Sequence, residues 1–167
     1  AVLALRRRAP PPSGPLELTR VTFDAEYAGE PTISADGKLL AYTSDRSGEG
    51  HFDIWVQHVN EPQPARLTRH PADDWQASIS PDGSRVAFRS ERDGGGIYVV
   101  APLGGEERKV ADRGILPHFS PDGSRIAYAE TAAWAPRGLF RMLVVPAGGG
   151  PSRPFQPAFG TWLWPGS

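Results

Sequence analysis

At 167 residues, 39% hydrophobic and 22% charged, the chain has the length of about one domain and the composition of an ordinary globular protein. A formal net charge of −1, with no basic block beyond Arg6-Arg7-Arg8, argues against a broad nucleic-acid-binding surface, and the absence of Cys excludes disulfides, thiolate metal sites and cysteine nucleophiles. Gly (19) and Pro (18) are abundant without a collagen-like period, so the chain is dense in turns.

The chain opens with "AVLALRRRAPPPSGP". Five apolar residues are too few to span a bilayer, which takes about 20. An apolar run followed by arginines and a proline-rich stretch nonetheless has the form of a chain leaving a membrane. Residues 1–15 are therefore read as a membrane-proximal or linker segment, either a plain tail or the end of a transmembrane helix with a stiff spacer. Residues 16–167 form the folded region.

A six-residue phrase recurs within that region. "SPDGSR" occupies Ser80 to Arg85 and again Ser120 to Arg125, and "SADGKL" occupies Ser34 to Leu39, so the period is 46 and then 40 residues. A short run precedes each copy ("PTIS", "ASIS", "PHFS"). A β-prone run follows, in which Leu40, Val86 and Ile126 align, as do Tyr42, Phe88 and Tyr128. "DIWVQ", "GIYVV" and "RMLVV" come next, apolar on both faces as strands buried on both sides are. A last short strand follows at a constant offset of 13 residues: Ile54 to Leu67, Ile97 to Val110 and Met142 to Phe155. Four strands in 40 to 46 residues is the period of a propeller blade. The reading is an all-β fold, three four-stranded antiparallel blades of an incomplete β-propeller, at about 30–68, 76–110 and 115–155. The repeated phrase joins the first strand of each blade to the second. Pro sets φ at the first corner, Asp bonds the backbone ahead and Gly takes the left-handed position, so Asp36, Asp82 and Asp122 are assigned to structure rather than chemistry.

The motifs "PHFSPDGSRIAY", "DIWV" and the "LTR" triplets at Leu18 and Leu67 resemble the TolB-like propeller repeat, a relative of the WD repeats. The resemblance runs over about residues 16–155. Departures are Ala35 for the turn Pro in the first copy, and Gly96 and Arg141 for the strand Asp in the second and third. It implies a ring of six or more blades, so three blades require self-association or further blades for closure. "LELTRVT" is expected to be an outer strand that fastens the ring, and "FGTWLWPGS" reads as the lead-in to a fourth phrase. Both ends are thus expected to be interrupted.

Catalytic signatures are not apparent: there is no G-x-S-x-G elbow, phosphate-binding loop or H-E-x-x-H. His51, His58, His70 and His118 are scattered without ligand spacing, and the oxygen-rich stretch Asp45 to Asp53 fits a calcium loop poorly. No catalytic residue, metal or cofactor is assigned, and the chain is expected not to be an enzyme. Topology is the better pointer. Turns after strands one and three of a blade share one face of the disc. The longer loops after strands two and four share the other: Asp24 to Tyr27, Asp45 to His51, Asp73 to Trp75, Glu91 to Asp93, Asp112-Arg113 and Trp134 to Arg137. Irregular loops on a rigid scaffold are where binding residues concentrate, and Trp75 and Trp134 are the expected ligand-binding contacts there.

The resemblance implies a non-catalytic scaffold for protein or ligand binding, the sensor or interaction part of a larger membrane-associated bacterial protein. TolB-like propellers are periplasmic interaction modules, and similar propellers follow a transmembrane helix in bacterial serine/threonine kinases. The expected setting is therefore periplasmic or extracytoplasmic with a membrane tether. The alternative is cytoplasmic, because arginines at a helix end favour that side. A second alternative is the gating propeller of a prolyl-oligopeptidase-like serine hydrolase whose catalytic domain lies outside this chain. The expected partner is a protein or peptide, not nucleic acid.

Overall fold

Every blade passes from its first strand to its second through a turn whose hydrogen bonds involve most of its six residues. In the computed structural model, which describes residues 20–22, 27–61, 63–131 and 140–155, the Gly37, Gly83 and Gly123 amides donate to the Ser34, Ser80 and Ser120 carbonyls at 2.8–2.9 Å. These glycines have φ of 74°, 71° and 69°, where a side chain is strained. Asp36, Asp82 and Asp122 each accept from the serine hydroxyl two residues back at 2.6 Å and from the amide two residues ahead. These bonds favour the ionised carboxylate and hold Asp82 and Asp122 at a pKa of about 2. Each serine also has a role the sequence does not announce: its hydroxyl accepts the amide of the residue five positions on. Ala35 supports the same turn as Pro81 and Pro121, so proline is dispensable there.

The turns join the first two strands of three four-stranded antiparallel sheets, each in sequential order. The first holds β1 (Ala28–Ile33), β2 (Leu39–Ser44), β3 (Asp53–His58) and β4 (Ala65–Arg66). The second holds β5 (Asp74–Ile79), β6 (Val86–Ser90), β7 (Gly96–Val100) and β8 (Arg108–Ala111). The third holds β9 (Ile115–Phe119), β10 (Arg125–Thr131), β11 (Phe140–Pro146) and β12 (Arg153–Pro154). The all-β, three-bladed partial propeller expected from the repeat is present.

Two apolar cores lie between blades. Ala41, Ile54, Val56 and Leu67 of the first blade meet Ala77, Ile79, Val86, Phe88, Tyr98 and Val100 of the second. Ala87, Ile97, Val99, Val110 and Ala111 of the second meet Ile126, Tyr128, Leu143, Val145 and Ala147 of the third. Strand alternation sends Phe88 one way and Ala87 the other, so the middle blade is apolar on both faces, and β7 is buried along its whole length. Fully burying one such side chain stabilises the fold by about 1.5–3 kcal/mol.

The first strands hold a device that no motif announces. Each carries a bulge: the register slips between Gly29 and Thr32, between Trp75 and Ser78, and where β9 pairs with β10. At each bulge a residue other than glycine takes positive φ: Glu30 (51°), Gln76 (57°) and Leu116 (54°). The bulges are linked from blade to blade. The Gln76 amide donates to Glu30 Oε2 at 3.0 Å, and the Leu116 amide donates to Gln76 Oε1 at 2.9 Å. The Glu30 and Gln76 side chains thus each satisfy the bulge amide of the next blade, which offsets part of the backbone strain.

Candidate binding face

The loop face gathers three aromatic rings where the first two blades meet. Tyr27 enters β1, Phe52 enters β3 and Trp75 lies near the start of β5. Phe52 and Trp75 are 4.2 Å apart between centroids; Tyr27 stands edge-on to Phe52 at 5.4 Å and to Trp75 at 6.4 Å. Such pairs contribute about 0.5–1.5 kcal/mol beyond their buried area. The cluster is built on backbone bonds across the blade boundary. The Asp74 amide donates to the Phe52 carbonyl at 2.8 Å, and the Phe52 amide donates to Asp73 Oδ1 at 2.9 Å. The Tyr27 amide donates to Asp45 Oδ1 at 3.0 Å, and Ser44 Oγ donates to the Tyr27 carbonyl at 2.8 Å. Trp75 and Phe52 are half-buried, while Tyr27 is 39% exposed.

Beneath this surface two buried carboxylates are held by arginines. Asp74 is fully buried, and both its oxygens accept from the Arg92 guanidinium, at 2.8 and 3.1 Å. Arg92 also donates to Ser90 Oγ at 2.7 Å, pairs with Glu107, and lies 4.7 Å from the Tyr98 ring centroid. Burial pushes the Asp74 carboxyl above its ordinary value, against the opposing pull of the Ser90 hydroxyl and of Arg92. In the first blade Asp53 is fully buried, with Arg66 Nε 2.9 Å from Oδ2. That N–H points to the Thr68 carbonyl instead, so neither Asp53 oxygen accepts a well-aligned hydrogen bond. Burial raises the Asp53 carboxyl too, with Arg66 opposing.

The strand aspartate does not recur in the second blade. A Cβ at Gly96 would sit 2.6 Å from the Ala111 carbonyl oxygen. A side chain there therefore needs the backbone to shift, and the buried carboxylate of the second blade is instead Asp74 of its first strand, paired with Arg92. In the stretch Asp45 to Asp53 the carboxylates are engaged by protein groups: Asp45 by the Tyr27 amide, Glu49 by Arg66 at 2.7 Å, Asp53 by Arg66.

Of the two tryptophans singled out from the sequence, Trp75 lies in the aromatic cluster and Trp134 lies outside the described residues. Tyr27 ends one of the loops assigned to this face, but neither it nor Phe52 is marked as a contact by the sequence, because each is remote from Trp75 and only the packing of the two blades brings the three together. Residues 16–19 of the expected outer strand also lie outside the described residues; just beyond them, the Val21 carbonyl accepts from Gln57 Nε2 at 3.1 Å. Among the described residues no helix is long and apolar enough to cross a membrane.

No family model and no curated protein sequence matches the chain. Solved structures do. A protein described as TolB from Agrobacterium tumefaciens is 26% identical, with a TM-score of 0.70 over 79% of this chain and 50% of its own. TolB from Acinetobacter baumannii is 22% identical, with a TM-score of 0.64 over 80% of this chain and 33% of its own. The β-propeller domain of the Trilobed protease from Pyrococcus furiosus is 18% identical, with a TM-score of 0.54 over 86% of this chain and 47% of its own. This chain therefore spans half or less of the length of these proteins. By fold it is a partial β-propeller of the TolB-like kind.

Proposed function

We propose that the chain is a non-catalytic scaffold, the interaction part of a larger extracytoplasmic protein, which binds a protein partner on its loop face. The Tyr27–Phe52–Trp75 cluster carries this reading. A half-exposed aromatic group on a rigid two-blade seam, bordered by Asp45 and Asp73, has the composition of a protein-recognition hot spot. Likeness to TolB supports the same reading. The N-terminal apolar run with its arginines suits a membrane tether, as in kinases that carry a sensor propeller. A second reading is favoured by the likeness to a protease propeller: the chain would then gate a hydrolase domain encoded downstream. The complete open reading frame separates the two, by a kinase upstream or a hydrolase downstream.

Two results are expected. Partner capture by pull-down, followed by titration, shows Trp75→Ala losing about 2 kcal/mol of affinity, about 30-fold, with the fold retained. Loss confined to variants of the Ser-Pro-Asp-Gly face would reverse the assignment. Screening with ester, peptide and nucleotide substrates yields no turnover. Turnover abolished by one point mutation in this chain would overturn the non-catalytic reading.

A further inference from the structure

On the opposite face, where the Ser-Pro-Asp-Gly turns lie, the two blade boundaries differ. Between the second and third blades the groove is stapled by two arginines. Arg85, just after its turn, donates to the Gly123 carbonyl at 2.8 Å and lies 5.3 Å from the Phe119 ring centroid. Arg108, at the start of β8, donates to the Ala147 and Gly148 carbonyls at 3.1 and 2.5 Å. The repeat places Leu39 where Arg85 stands and, by the offset of 13 residues, Ala65 where Arg108 stands. Neither can bridge to the next blade.

Where both staples are absent, between the first and second blades, there is a cavity of about 550 Å3 lined by Leu39 and Ala65. That is within the size range of ligand pockets. Val56 and Leu67 supply apolar wall, and Gly83, Pro102 and Leu103 line the second-blade side. These last three are the repeat counterparts of Gly123, Ala147 and Gly148, whose carbonyls receive the arginines one boundary further on. Among the described residues no group donates a hydrogen bond to the Gly83, Pro102 or Leu103 carbonyl. A Cβ added at Gly123 would meet Arg85 at 3.4 Å, whereas one added at Gly83 would meet nothing within 4 Å. The rim cations are already neutralised: Lys38 lies 3.6 Å from Asp36, and Arg66 pairs with Glu49 and Asp53. Asp82, ionised at a pKa of about 2, stands at the same rim.

We propose that this groove is a second binding site, which takes an arginine side chain from a protein partner. The incoming guanidinium replaces the missing staple. Its planar fork of donors suits several carbonyls at once, and its aliphatic stem lies along Leu39, Val56 and the fully exposed Leu103. The site is independent of the aromatic cluster on the other face.

The probe is the peptide acetyl-Gly-Arg-Gly-amide, titrated against the whole chain by saturation-transfer NMR, which tolerates any oligomeric size. Saturable binding is expected, at least about tenfold tighter than the uncharged citrulline analogue. Leu39→Arg with Ala65→Arg should rebuild the staples within the chain, abolish peptide binding and raise Tm. Ala65→Arg alone, at an exposed position, should weaken binding and serves if the double variant does not fold. Trp75→Ala should leave peptide binding unchanged, which keeps this site separate from the loop face. Absence of saturable binding, equal binding of the citrulline peptide, or binding unaltered by Ala65→Arg would each overturn the proposal.

Discussion

Arg92→Ala destabilises the fold by about 3–5 kcal/mol, the cost of leaving a buried carboxylate without its cation. Asp74 has no exposed surface, and Arg92 is the cation that meets both its oxygens. The same guanidinium fastens Glu107 and covers Tyr98, so the second blade loses ties to its last strand as well. The pH dependence identifies the cause. Burial already holds the Asp74 pKa above 3.8, and loss of Arg92 removes an opposing influence and sends it higher. A carboxyl with a raised folded-state pKa binds more protons folded than unfolded. Its penalty is therefore absent below about pH 3.8 and grows as pH rises through the folded value. Urea unfolding of Arg92→Ala should show a deficit largest at neutral pH and smaller on acidification. Asp74→Asn in the same background should recover part of the loss. A deficit that is independent of pH would assign the effect to lost packing instead.

Light scattering on the purified 167-residue chain should show association that deepens with concentration. The third blade uses Ile126, Tyr128, Leu143 and Val145 against the second. Its other face carries Met142, Phe155 and Phe140, each about half exposed, with Val144 beside them. Full burial is worth about 1.5–3 kcal/mol for each side chain, and about half of each is already covered, so covering the rest of these four would contribute about 3–6 kcal/mol. That is a large fraction of the net stability of a domain, about 5–15 kcal/mol. Such a face is expected to pack against a further blade, from a second copy of the chain or from the rest of a longer protein. Met142→Asp with Phe155→Asp should shift the material toward monomer while leaving the two inter-blade cores intact. A stable, cooperatively unfolding monomer at micromolar concentration would show that the third blade needs no cover.

The repeat made the architecture legible from sequence alone. Turn chemistry is local: Ser, Asp and Gly within six residues close the hairpin whatever lies around them, so three copies at a propeller period were enough to count blades and order strands. The double-sided apolar pattern expected of "DIWVQ", "GIYVV" and "RMLVV" alike holds along the whole of β7 but not in β11, where Arg141 and Met142 are exposed because no further blade covers that face among the described residues. The site was less legible. Trp75 could be assigned to the loop face, because strand order determines which loops share a face. Tyr27 could be placed there too, at the end of the loop Asp24 to Tyr27, but its meeting with Phe52 and Trp75 could not, since that depends on the relative placement of two blades. The bulge residues were hidden for a different reason. Glu30, Gln76 and Leu116 have no residue type in common, and positive φ is imposed on them by the sheet, with the bonds accepted by the Glu30 and Gln76 side chains from the next blade compensating. The groove between the first two blades shows the division most plainly. Leu39 and Ala65 look ordinary in the sequence, and their meaning is set by Arg85 and Arg108 across the next boundary, where arginines reach carbonyls about 40 residues away.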